Sequence, residues 1–150
     1  MLGYVYPDRI VFNRTRERRI LELSSLKDYS VEIIKFYAGA DEKFFLAAIE
    51  QGVKGLIVEG VGLGNVNEPF YRGIRKAREK GLEVVITSRC SYGRVVPKYG
   101  YPGGGLSLEN LGVIFGGHLS SPKARLLLMM GLSKELAHEE LQDLFVYFTI

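Results

Sequence analysis

The sequence predicts an open α/β fold, a small sheet of about four parallel strands with helices on both faces, preceded by a short β-hairpin. Three observations carry this. The chain has 150 residues, the usual size of one globular domain, and 47% of them are hydrophobic, with 9 Tyr and 8 Phe to fill a core. From Val31 onward, β-branched runs alternate with stretches of helical periodicity. The run Gly55 to Glu59 (GLIVE) is of the buried type, as a strand covered on both faces must be.

In chain order, Tyr4 to Tyr6 and Ile10 to Asn13 read as two short strands joined by Pro7-Asp8, and a charged stretch follows to about Asp28. Residues 1–28 are thus expected to be a connector and hairpin, and residues 29–150 the domain itself. The β-branched run Val31 to Tyr37 is the first strand of the sheet. Asp41 then caps a helix whose Phe45, Ala48 and Ile49 share a face. After the strand Gly55 to Glu59, the loop Gly60-Val61-Gly62-Leu63-Gly64-Asn65 breaks the pattern. Asn67 with Glu68-Pro69 opens a helix through about Lys80, because an Asn cap and a Pro in the first turn are both start signals.

Gly81 stops that helix, and Leu82 to Thr87 is the third strand. A long loop rich in Gly, Tyr and Pro reaches Gly105 before a short helix and the apolar run LGVIF. Ser121-Pro122 starts the next helix, where Leu126 to Met130 is apolar all round and so expected to be buried. Ser133 starts the last one, whose Leu141, Leu144, Phe145 and Phe148 form an i, i+3, i+4, i+7 stripe for docking. Such alternation is Rossmann-like or flavodoxin-like, and it places ligands at the carboxyl ends of the parallel strands.

Composition excludes several classes. A net charge of only +3 and the aromatic content exclude intrinsic disorder, and no sustained repeat points to collagen or a coiled coil. The single Cys90 excludes an internal disulfide framework. No apolar stretch approaches the roughly 18 residues of a membrane helix, so no membrane partner is expected. The N-terminus lacks the basic-then-apolar layout of a signal peptide, and the expected address is the cytoplasm. Basic residues cluster in Arg14 to Arg19, but without aromatic interleaving they read as a solvated edge and not as a nucleic-acid surface.

The loop from Gly60 to Asn65 lies where a βαβ unit meets its ligand, and Gly60 and Gly62 let the backbone turn tightly there. It is neither a dinucleotide fingerprint, because the G-x-G-x-x-G spacing fails, nor a Walker loop. Asn65, beside Gly64, presents a donor and an acceptor suited to an amino acid backbone or amide, although an Asn next to Gly also serves simply to tolerate a left-handed turn. Arg89 reads as a carboxylate anchor or as a buried structural Arg holding loops together. Cys90 has no base in a recognisable context and reads as a small buried side chain. With His118 and His138 it does not reach zinc-ligand spacing, so neither a metal nor a cofactor is expected.

No nucleophile elbow and no arguable pair of acids stands in the chain, so no catalytic residue is assigned. Tyr99 and Tyr101, on the Gly-rich tract Lys98 to Gly105, are placed to close over a ligand, a role such loops share with plain connection.

Taken together, these residues resemble the C-terminal domain of the L-asparaginase and glutaminase-asparaginase family. Tyr37-Ala38-Gly39-Ala40-Asp41 resembles its Y-x-G-x-D turn, Gly60 to Asn65 its G-x-G-x-G-N loop, and Ser88-Arg89 with Gly93 its S-R-x-x-x-G segment. Gly117 to Arg125 is similar to its G-x-L-x-x-x-K-A-R helix start, and the opening strands resemble the stretch that leads in from the preceding domain. The resemblance implies an amidohydrolase acting on asparagine or glutamine, assembled as a homodimer or homotetramer. Each active site would lie between the N-terminal domain of one subunit and the C-terminal domain of its neighbour, with Asn65 reaching across to hold substrate.

The resemblance also places the nucleophilic Thr, its Tyr partner and a Thr-Asp-Lys group in the N-terminal domain, in stretches resembling G-G-T-I and H-G-T-D-T. Neither stretch occurs in this sequence, so the chain alone is expected to be inactive. Some members carry an acid after the S-R segment to bind the substrate's ammonium group. Arg94 to Leu108 contains none and holds Tyr99 and Tyr101 instead. The alternative is a stand-alone small-ligand or protein-binding module of the same fold, without catalysis.

Overall fold

The computed structural model of the chain describes residues 3–5, 10–12 and 29–149. Strands β1 (Gly3–Val5) and β2 (Ile10–Phe12) pair antiparallel as a two-stranded sheet of their own, in the register Gly3↔Phe12. Residues 13–28, expected to be part of a connector and carrying the basic run, lie outside the described residues. The main sheet contains β3 (Val31–Lys35), β4 (Gly55–Gly60), β5 (Glu83–Ser88) and β6 (Ile114–Phe115), all parallel and in that spatial order. Helices α1 (Lys43–Glu50), α2 (Glu68–Glu79) and α3 (Gly105–Glu109) connect the strands, and α4 (Ser121–Ser133) and α5 (His138–Thr149) follow. This is the α/β class the alternation predicts.

Strand order equal to chain order has a consequence for layering. Crossovers of one hand then bring α1, α2 and α3 to the same face, and the other face is left for α4 and α5. The register supplies a matching apolar row for each. Ile34, Val58 and Ile86 align across the sheet and pack with Phe45, Phe70, Ile74 and Leu108. One residue earlier, Ile57, Val85 and Ile114 align and pack with Leu127, Leu128, Leu141 and Phe145 on the opposite face. Burying each of these large side chains contributes about 2 kcal/mol.

Local chemistry sets the helix ends. Asn67 Oδ1 accepts the Phe70 N–H at 3.0 Å, and Pro69 sits in the first turn of α2. Gly81 takes φ +79° just past the C-cap Lys80 and stops that helix. Asp41 does not occupy the cap position of α1, which is Glu42; its carboxylate instead accepts the Lys43 N–H at 3.2 Å.

Two expectations about the last helices fail. Ser133 ends α4, its hydroxyl turned back to Met130 O, and α5 opens only at His138, after Glu135 takes φ +54°. The backbone groups at that start are met by Glu140, whose carboxylate accepts the Ala137 N–H at 2.8 Å. Within α4, Leu126 is 51% exposed and Met129 and Met130 are half-buried, so the helix is not buried all round. The sheet stops at β3, and nothing described lies beyond it to cover that flank. In α5, Leu141, Leu144 and Phe145 are buried as the stripe predicts, and Phe148 is partly exposed.

Candidate functional site at the carboxyl ends of the strands

The register that builds the core also collects polar side chains at one end of the sheet. Lys35, Glu59 and Thr87 are direct neighbours across β3, β4 and β5. Lys35 Nζ lies 3.1 Å from Glu59 Oε1, and Ser121, at the start of α4, donates its hydroxyl to Glu59 Oε2. Ser121 Oγ is 3.0 Å from Thr87 Oγ1. Each hydroxyl has one proton, so with that of Ser121 given to Glu59 the Thr87 hydroxyl is the donor of this pair, and it shares its proton with Val58 O at 3.3 Å. Thr87 and Ser121 are buried, and this accounts for their polar atoms.

Lys35, Glu59 and Ser121 form one wall of an open cleft of about 920 Å³ that Ser88, Arg89, Cys90 and His118 also line, with Thr87 buried behind them. Burial lowers the His118 pKa from its usual 6.5, and a hydrogen bond with the Gly93 backbone partly opposes that. Arg89 is exposed, and the contact that ties its segment to the next loop is its backbone N–H, donated to Gly60 O at 3.1 Å. Cys90 is exposed, contrary to the expected buried thiol, because β5 has ended two residues earlier. Its Sγ accepts the Gly62 N–H at 3.3 Å.

A second group sits beside the cleft on the Gly60 to Asn65 loop. Gly62 and Gly64 take φ +57° and +97°, and Asn65 closes the turn by exchanging two backbone hydrogen bonds with Val61, at 2.8 and 3.0 Å. The left-handed residues are the glycines, so Asn65 is not present to tolerate such a conformation. A Cβ on Gly64 would overlap the Val95 side chain, which shows how closely the 95–105 segment approaches. That segment is laced in place: Val96 N–H donates to Leu63 O and Val66 N–H to Gly103 O. Ser107 Oγ accepts the Gly103 N–H at 3.1 Å and lies 2.8 Å from Tyr101 O.

The structure therefore joins Gly64, Asn65 and the Tyr99 to Tyr101 loop into one unit. The two tyrosine rings are 43% and 50% exposed, with centroids 6.1 Å apart. Asn65, Tyr99 and Tyr101 stand outside the lining of the cleft. Asn65 Oδ1 is buried and has no hydrogen-bond partner among the described residues.

Sequence reasoning missed the Thr87–Ser121–Glu59–Lys35 chain. Its signal was available only through the register, because these residues become neighbours when three strands are aligned at their carboxyl ends. Chemically, the hydroxyls are committed: Ser121 donates to Glu59 and is 2% exposed, and Ser88 donates to Gly62 O at 2.8 Å. Ser121, although bonded to a carboxylate, is buried away from any substrate, and the Ser88 hydroxyl is spent on a backbone carbonyl and not on a base.

Fold and site together define an open α/β domain whose polar groups gather where such sheets meet ligands. A family model described as the glutaminase/asparaginase C-terminal domain matches residues 30–145, and the chain belongs to that family. It is 34% identical over 147 residues to an L-asparaginase of Bacillus licheniformis, covering 97% of this chain and 45% of that protein. A probable L-asparaginase of Deinococcus radiodurans is 35% identical over 115 residues, 77% of this chain and 34% of that protein. A component of the glutamyl-tRNA(Gln) amidotransferase of Methanobrevibacter smithii is 36% identical over 101 residues, 67% of this chain and 23% of that protein. The chain thus spans less than half the length of these relatives. Among the described residues, no helix is long and apolar enough to cross a membrane.

Proposed function

We propose that the chain is the C-terminal half of an asparaginase-type amidohydrolase, which converts L-asparagine, glutamine or a related amide to the acid and ammonia. Residues 29–150 supply oligomer surface and the substrate-contacting Asn65, and residues 1–28 lead in from the partner domain. The observation that carries this reading is Asn65 Oδ1, a buried acceptor with no donor among the described residues, on the loop where the family motif puts a substrate contact. A buried carbonyl oxygen left unpaired costs about 1–3 kcal/mol, and a donor from substrate or from the neighbouring domain relieves that cost. Gly64 lets Val95 pack against the same loop and Val66 N–H donates to Gly103 O, so the segment that carries Tyr99 and Tyr101 is held beside Asn65, which supports their place in the binding surface. Tyr37 and Phe44, exposed beside β3, are consistent with burial in a homodimer or homotetramer. The proposed compartment is the cytoplasm.

The chain supplies no nucleophile in this reading. Purified alone it releases no ammonia from asparagine or glutamine; mixed with a separately expressed N-terminal domain it does, and Asn65→Ala in that mixture sharply raises KM. Clear turnover by the chain alone, or an Asn65→Ala mixture with unchanged kinetics, sinks the proposal. The cleft, lined separately from Asn65, favours a second reading, a small-ligand-binding module of the same fold. That reading predicts a rise in Tm with amides or amino acids in the absence of any second domain.

A further inference from the structure

We propose that Ser88 is a positioning residue for Asn65, acting through the backbone of Gly62. The inference rests on the reading that Asn65 touches substrate, and it adds what aims the carboxamide.

The β4–β5 ladder ends at the Gly60↔Ser88 pair, so the loop beyond Gly60 has no strand to join. Side chains from the end of β5 take the place of the ladder. Ser88 Oγ donates to Gly62 O at 2.8 Å, and Cys90 Sγ accepts the Gly62 N–H at 3.3 Å. Both polar groups of Gly62 are thereby held by two residues of the neighbouring strand end. Ser88 organises the pair, because its oxygen also accepts the Cys90 N–H at 3.1 Å and so holds the sulfur in reach of the glycine. Arg89 N–H, donated to Gly60 O, fixes the other end of the turn.

Gly62 is the first left-handed residue of the loop, and its rotation determines where Val61 and Asn65 meet. With its oxygen unpartnered among the described residues, the Asn65 side chain has no acceptor-side contact there to fix its direction. Its aim is set by the backbone it hangs from, which the Val61–Asn65 hydrogen bonds close and which Ser88 fixes at Gly62. A glycine-rich loop without this clamp would sample several turns, and each would point the carboxamide elsewhere.

Hydrogen exchange measured by NMR on the full chain tests the clamp. Ser88→Ala is expected to speed exchange of the Gly62, Gly64 and Asn65 amides about tenfold, while Ile57 and Val58 in β4 keep their rates. Ser88→Thr retains the hydroxyl and restores protection. Unchanged loop rates in Ser88→Ala overturn the proposal, and so does an equal rise throughout β4, which reports general destabilisation. In the enzyme assembled with an N-terminal domain, Ser88→Ala raises KM with a smaller change in kcat, and Ser88→Thr reverses the effect. If Ser88→Ala loosens the loop but Asn65→Ala leaves turnover untouched, the clamp stands and the substrate reading falls.

Discussion

Arg125 Nε donates to the backbone carbonyl of Val31 at 2.6 Å, tying α4 to the outer edge of the sheet. Ser30 O and the Phe36 N–H bond to the β4 side, so alternation along β3 turns Val31, Ile33 and Lys35 toward the open edge. One of those edge carbonyls is occupied by the guanidinium, which also reduces the template the edge offers to another strand. Arg125→Ala leaves the buried Val31 carbonyl unpaired and is expected to cost about 2 kcal/mol in urea unfolding. A midpoint equal to that of the parent chain would remove Arg125 from this role.

Asn67 joins two segments with one carboxamide. Its oxygen caps α2, and its Nδ2 donates to Ala40 O at 2.9 Å, in the turn that follows β3. Asn67→Ala removes both contacts and is expected to lower stability by about 1–2 kcal/mol. Asn67→Ser keeps a capping oxygen but is too short to reach Ala40, and should lose about half as much. Equal losses in the two variants, read from urea midpoints, would mean the Ala40 contact contributes nothing.

What could be read from the sequence were features whose meaning is local. Asn67, Pro69 and Gly81 announce their helix ends because a cap or a left-handed stop needs only its immediate neighbours. The loop from Gly60 to Asn65 was legible for the same reason. Ser133 misled because a serine followed by acids also fits the interior of a last helical turn, where its hydroxyl returns to Met130 O. The exposure of Leu126 could not be read, since an apolar run does not say on which side the sheet ends. Thr87 and Ser121, 34 residues apart, carry no shared pattern until β5 and α4 are docked.

Gly73 reverses the usual rule for glycine in a helix. Replacing a helical glycine by alanine ordinarily stabilises by about 1 kcal/mol. Here α2 crosses α1 so closely that a Cβ at position 73 would run into the Phe45 ring, whose Cγ would be only 2.7 Å away. Phe45 has little freedom to yield, because it is fully buried and packs edge-on against Phe70 with centroids 4.8 Å apart. Gly73→Ala is expected to destabilise by about 1–3 kcal/mol net. A rise in Tm would show that the two helices separate at little cost.

His118 gives the cleft a pH dependence whose sign follows from its surroundings. Burial disfavours the imidazolium, so the folded-state pKa lies below 6.5, with the Gly93 hydrogen bond acting weakly the other way. Between the folded value and 6.5 the unfolded chain binds more protons than the folded one. The contribution of His118 is therefore fully present above 6.5, declines as the pH falls below that value, and levels off once the pH is below the folded pKa. His118→Asn carries no titrating ring and should lose this component. Urea midpoints of both chains from about pH 7.5 to about pH 5 isolate it, because everything but position 118 is common to both and cancels in the difference. The parent should lose stability relative to His118→Asn as the solution is acidified; a relative gain would mean that the ring is held as the cation, with a carboxylate in the cleft as its counter-charge.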